Sequence, residues 1–153
     1  MATITAPPMD EAIIDNGDPG FSSRGYWHVS DKAVGFYGGD YAYAYNGDGS
    51  STATFTFRVP SDGAYQIAAQ WPAHSSRASN APFTLINNGQ VLDTVRVDQR
   101  TDGGGFNPLA GPQSDAGIYR LSAGVLEVTL SNDADGKVAA DAVQVLNMGS
   151  ATE

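Results

Sequence analysis

The 153-residue sequence predicts an all-β domain, a two-sheet antiparallel sandwich or jelly roll, on three observations. Its acid is nearly all of one kind, 14 Asp against 3 Glu, with only 2 Lys. Asp competes for backbone hydrogen bonds and favours turns, whereas Glu and Lys populate exposed helix faces. Eighteen Gly and eight Pro add further turn formers. Finally, apolar residues recur with period two in several segments, and a 3.6-residue pattern nowhere lasts more than about two turns.

Taken in order, EAIID (11–15) and YWHV (26–29) are short strand candidates separated by the turn-rich NGDPGFSSRG. YAYAY (41–45) alternates Tyr41, Tyr43 and Tyr45 with Ala, so the three rings share one face, either a binding strip or a buried seam. Segment 51–59 sets Ala53, Phe55, Phe57 and Val59 on one face, and 64–71 returns with Tyr65, Ile67, Ala69 and Trp71. With turn residues Pro60-Ser61-Asp62-Gly63 between them, 51–71 is expected as an antiparallel hairpin. A second hairpin, 82–87 with 90–98, turns at Asn87-Asn88-Gly89. Strands at 118–121, 125–131 and 137–147 complete the chain, separated by turns at 122–124 and 132–136. About eight to ten short strands without helices bury their faces best in a two-sheet sandwich rather than a closed barrel. The expected organisation is an extended tail over 1–9, one domain over 10–147 and a short tail over 148–153. Loops 72–81 and 101–117 are the long connections, where function usually sits.

A net charge of −9 and a pI near 4.4, with no basic cluster, set the chain against nucleic acid and anionic membrane surfaces. No stretch approaches the roughly 18 apolar residues of a membrane span, and MATITAPPMDEA shows no signal peptide. Zero Cys excludes thiol chemistry and disulfides.

The phrases IIDNGDPGF, WPAHSSRASNAPFTL and SNDADGKVAADAVQVLN, in this order and spacing, resemble the golvesin C-terminal and xanthan-lyase-type carbohydrate-binding domain over about 12–147. The resemblance implies a galactose-binding-like sandwich that binds polymer, carries no chemistry and is appended to exported polysaccharide-degrading enzymes. Where the family tends to carry a Trp-Asn pair, this chain has Phe106-Asn107-Pro108. With Met1 at its start, the sequence is expected to stand as a single module without an attached enzyme.

The residues themselves give no catalytic set. His74-Ser75-Ser76 imitates part of a triad, but neighbours in sequence rarely point at one another, and GxSxG, HExxH, P-loop and dinucleotide patterns are absent. The chain is therefore expected not to be an enzyme. Aromatic residues are the better clue, because sugar C–H faces stack on Trp and Tyr while hydroxyls take paired polar groups. Trp71, followed by His74, Arg77 and Asn80, offers a platform beside an imidazole, a cation and an amide, suited to an acidic polysaccharide. The alternative is that Trp71 continues the inward phase of Tyr65-Ile67-Ala69 and the other three brace the loop. Tyr37, Tyr41, Tyr43 and Tyr45 form a second candidate surface, and Phe106 and Asn107, at the family's Trp-Asn position, are further ligand-binding candidates.

Cofactors are expected to be none, or a structural calcium. Asp15, Asn16 and Asp18 in DNGD, and Asp133 and Asp135 in NDADG, present oxygens at the spacing calcium takes in turns, although turn capping also explains them. By resemblance Glu11, Asp15 and Asp141 are candidates as well, since such sandwiches often hold calcium between first and last strands. Asp141 falls on the Val143/Val145 face of an apolar strand, so it needs Arg77 or a cation as partner.

Two functions follow. One is a non-catalytic domain binding polysaccharide or cell-surface glycan. The other is a self-assembling subunit of an extracellular fibre or phage virion, in which the alternating ATITAPP tail adds a strand to a neighbour. The corresponding locations are extracellular or virion-associated.

Overall fold

The computed structural model describes residues 11–148. The expected tail at 1–9, its proposed strand exchange, and residues 149–153 lie outside the described residues. Thirteen strands follow one another: β1 (Glu11–Asp15), β2 (Phe21–Arg24), β3 (His28–Ser30), β4 (Tyr41–Ala44), β5 (Thr52–Val59), β6 (Gly63–Gln70), β7 (Ala81–Asn87), β8 (Gln90–Val97), β9 (Asn107–Pro108), β10 (Ile118–Leu121), β11 (Gly124–Ser131), β12 (Val138–Ala140) and β13 (Ala142–Asn147). No helix occurs among the described residues. One five-stranded antiparallel sheet has the order β1-β13-β6-β10 with β9 also on β6, and a second runs β2-β5-β11-β7-β8. A three-stranded sheet, β12-β4-β3, flanks them.

The alternation in 51–71 is real, but the pairing differs from the expected hairpin. β5 pairs with β2 and β11, while β6 pairs with β13, β10 and β9, so 60–62 carries the chain from one sheet to the other. The reason is that both segments have a complete apolar face. In a hairpin those faces would lie side by side; as an arch they meet across the interlayer and are buried by each other. Phe55, Tyr65, Ile67, Leu126, Val128, Leu130, Val143 and Val145 accordingly have no exposed surface. Fully burying each such side chain stabilises by about 1.5–3 kcal/mol. β10 and β11 divide between sheets in the same way across Ser122-Ala123.

The expected single strand 137–147 breaks at Asp141, with β12 in the flanking sheet and β13 between β1 and β6. FSSR, read as part of a turn, is β2 on the edge of β5; its one apolar residue gives no alternation to read. YWHV is shifted to His28–Ser30. The hairpin β7–β8 forms as expected, with Asn88 and Gly89 at φ 51° and 83°, the signature of a primed two-residue turn.

The flanking sheet positions the site. Ala42 and Ala44 are buried with Val138, Ala139 and Ala140 and join the same hydrophobic core. Tyr41, Tyr43 and Tyr45 therefore occupy the opposite face of β4.

Candidate functional site

Along β4 the three tyrosines form a gradient: Tyr41 is 3% exposed, Tyr43 is half-buried and Tyr45 is 52% exposed. His28, paired opposite Tyr43, lies nearly parallel to its ring at 5.0 Å and 21°. It also meets Tyr26 and Tyr45 edge-on at 4.6 and 5.4 Å, giving a continuous aromatic strip to the exposed end.

Loop 72–80 forms a wall above the buried end of this strip. It is fastened to the residues before β12: Ala78 N–H donates to Lys137 O at 2.7 Å, and Lys137 N–H donates to Ser76 O at 3.3 Å. Such close approach requires the glycine before Lys137, because a Cβ on Gly136 would stand 2.9–3.0 Å from the backbone of Arg77 and Ala78. At the far end Asp135 accepts from both the N–H and the hydroxyl of Ser79, and Asn80 Oδ1 accepts the Asp135 N–H.

Between wall and strip lies a cleft of about 240 Å³, lined by Ser30, Lys32 and Ala33, by Tyr41 and Tyr43, by His74, Ser76 and Arg77, and by Lys137. Arg77 is only 7% exposed; its guanidinium lies 5.3 Å from the Tyr41 ring centre and 5.8 Å from that of Tyr43, and Nε donates to Pro72 O. Lys137 Nζ lies 5.8 and 5.1 Å from the rings of Tyr43 and Tyr45. Burial pushes the Tyr41 hydroxyl up, but Ser30, the Ala33 N–H and Arg77 together outweigh it and hold the group below the usual phenol range. His74 Nδ1 accepts the Ser76 N–H at 3.0 Å and lies 2.8 Å from the Ser76 hydroxyl, so that pair is a loop brace within the cleft wall.

The structure thus gathers Tyr41, Tyr43, His74 and Arg77 from the sequence candidates, and adds Ser30, Lys32 and Lys137, which sequence reasoning missed. The signal was available, since these are the only two lysines in the chain. Trp71 is corrected from platform to core: it is 3% exposed and its Nε1 donates to Thr101 O, so it presents no face for stacking. Asn80 serves the loop, with its carbonyl accepting from Arg96. Tyr37 and Phe106 meet each other at 5.7 Å, and Asn107 is spent on the carbonyls of Asp102 and Gly105. None of these four lines the cleft. Loop 101–117 instead pads the edge of β6, where Leu109 N–H donates to Ile67 O.

The acidic candidates separate as well. Glu11 accepts from Gln144 and Asp135 is held by Ser79. Asp133 meets Arg96 through its carbonyl, not its carboxylate. Asp15, Asp18, Asp40 and Asp141 form one neighbourhood: Asp18 accepts the Asp15 N–H, Asp40 accepts from the Asn16 amide, and Asp15 and Asp40 act electrostatically on Asp141. Asp141 is 1% exposed and is paired with neither Arg77 nor any other basic side chain among the described residues; Oδ2 accepts the Tyr37 N–H at 2.7 Å, and Oδ1 has no hydrogen-bond partner. Asn16 Oδ1 is likewise buried without a partner. Unpartnered buried oxygens fit a hard cation, but among the described residues no three His, Asp or Glu side chains converge as a ligand set. Any ion held here would need the Asn16 amide and main-chain oxygens beside Asp15 and Asp141.

A sandwich of two five-stranded sheets whose flanking sheet carries an aromatic and cationic cleft defines a small all-β domain with a lateral cleft. The chain belongs to the Golvesin C-terminal domain family, whose model matches residues 12–147. It is 34% identical to a xanthan lyase from Bacillus sp. (strain GL1) over 94% of its own length, but spans only 15% of that enzyme. The solved structure of a Paenibacillus xanthan lyase matches with a TM-score of 0.81 at 31% identity, over 96% of this chain and 14% of the other. A family 35 carbohydrate-binding module from Clostridium thermocellum matches 90% of this chain and 98% of its own at a TM-score of 0.65; at 17% identity that likeness is one of fold.

Proposed function

We propose that this chain is a non-catalytic carbohydrate-binding domain that acts on polysaccharide outside the cell, and that its binding surface is the cleft and aromatic strip of β3, β4 and β12. The observation that carries this reading is the Tyr41–Tyr43–Tyr45 gradient. It gives an aromatic strip, its rings tilted or edge-on to one another, that runs from a walled cleft to solvent at Tyr45 and offers apolar surface against which sugar rings can pack. Hydroxyls of Ser30 and Ser76 and the imidazole of His74 stand beside it to meet sugar hydroxyls. The family, the relationship to a polysaccharide lyase and the fold of carbohydrate-binding modules support the same reading.

In affinity gels containing polysaccharide, Tyr43→Ala is expected to weaken retention by about tenfold, the order expected from one lost stacking contact. Retention unchanged in Tyr43→Ala, with the melting temperature preserved, would remove the strip from the binding surface.

We propose in addition that calcium is held by Asp15 and Asp141 with the Asn16 amide, where its role is to fasten β1 against the β12–β13 break. The two unpartnered oxygens support this. EDTA is expected to lower the melting temperature, because an ion bound only by the native state stabilises it by mass action. An unaltered transition in EDTA overturns it.

A further inference from the structure

We infer that the sugar residue seated in the cleft is anionic, carrying a carboxylate or a sulfate; this rests on the reading of the cleft as a sugar site. The chain has 17 acidic residues and 8 basic ones, yet its cleft is walled by Arg77 and by both lysines, brought together from opposite ends of the sequence. Chance would place acid beside them, but among the described residues none of the three has a carboxylate partner, the ion pair found there being Arg100 with Asp98.

Hydroxyls and an imidazole share the wall, but its only formal charges are these three cations. Lys and Arg supply donors and no acceptor, and a carboxylate or sulfate, which is acceptor-only, meets them with charge-assisted hydrogen bonds that a neutral hydroxyl cannot match. Arg77 is the fixed member, clamped by the Pro72 carbonyl and the two tyrosine faces, while Lys32 is exposed and Lys137 half-buried at the mouth. General polyelectrolyte attraction cannot imitate this site, because a net charge of −9 disfavours polyanions as a whole, and screening over a Debye length of roughly 8 Å at physiological salt confines the pull of the three cations to the cleft itself.

The test is affinity electrophoresis of the intact chain in matched gels: polygalacturonate and xanthan, each against its carboxyl-reduced form, and dextran sulfate against dextran. Retention is expected on a charged polymer and not on its neutral counterpart, the carboxylated or the sulfated pair showing which anion is taken. K32Q/K137Q is expected to weaken that retention about tenfold, from two lost charge contacts at the cleft mouth. Arg58→Gln, on the outer face of β5 away from the cleft, is expected to leave it unchanged. Equal retention on charged and neutral partners, or a K32Q/K137Q variant that binds like wild type, overturns the anionic assignment and leaves the sugar reading standing. Absence of retention on every polymer, charged and neutral, overturns both.

Discussion

Gln99 has no exposed surface, yet its amide is fully used: Nε2 donates to Ala139 O at 3.0 Å and Oε1 accepts the Ala139 N–H at 2.8 Å. The side chain does for the middle of β12 what a neighbouring strand would do, and its own N–H donates to Ala78 O in the cleft wall. Gln99→Leu preserves much of the volume but leaves two main-chain groups of Ala139 buried and unpaired. At about 1–3 kcal/mol for each unsatisfied group, a loss of roughly 2–5 kcal/mol is expected in urea unfolding, with weaker ligand binding because Lys137 directly precedes β12. A loss under about 0.5 kcal/mol would show that Ala139 finds other partners. Nothing in the residue type announced this role, since a polar residue after a strand reads as surface loop. Trp71 shows the converse, because its inward phase in 64–71 was legible and its burial at 3% follows from it.

Single strands were legible where one face is buried, but their partners were not. Segments 52–59 and 63–70 alternate cleanly, and the residues between them are those of a tight turn. Identical chemistry serves a hairpin and an arch, and only the competition for apolar cover decides between them. Each segment buries a whole face, so each needs the other opposite it rather than beside it. The Asn88-Gly89 turn was decisive because positive φ at both positions commits the chain to a two-residue hairpin. The cleft was half legible for a related reason. Tyr41 and Tyr43 on one face, and His74 and Arg77 in one loop, are local facts. That Lys32 and Lys137 meet them depends on β12 pairing β4 and on loop 72–80 lying along Lys137, contacts far apart in sequence.

Across the whole molecule, the acidic excess is mostly turn fastening rather than a directed field. Asp48 accepts from the Ser50 N–H, Asp62 from Ala123, Asp93 from Thr94 and Gln113, and Asp98 from Arg100, each tying a loop at the surface or near it. Asp141 departs from this pattern. Burial, with the charges of Asp15 and Asp40 adding to it and a single N–H from Tyr37 opposing it, pushes its carboxyl up to about 8, from 3.8 in the open chain. A raised carboxyl favours folding in its neutral form, so its contribution is fully present below about pH 4 and is lost as pH rises towards 8. In EDTA the wild-type protein is therefore expected to lose on the order of a few kcal/mol between pH 5 and pH 9 that Asp141→Asn, which cannot ionise, does not lose. With calcium present, the ion would hold the carboxylate charged and the wild-type slope is expected to flatten. The comparison of the two proteins in EDTA cancels groups they share, including both histidines. Parallel melting-temperature profiles for wild type and Asp141→Asn would mean that Asp141 is ionised in the folded protein without a cation, and that the break between β12 and β13 is stable on its own.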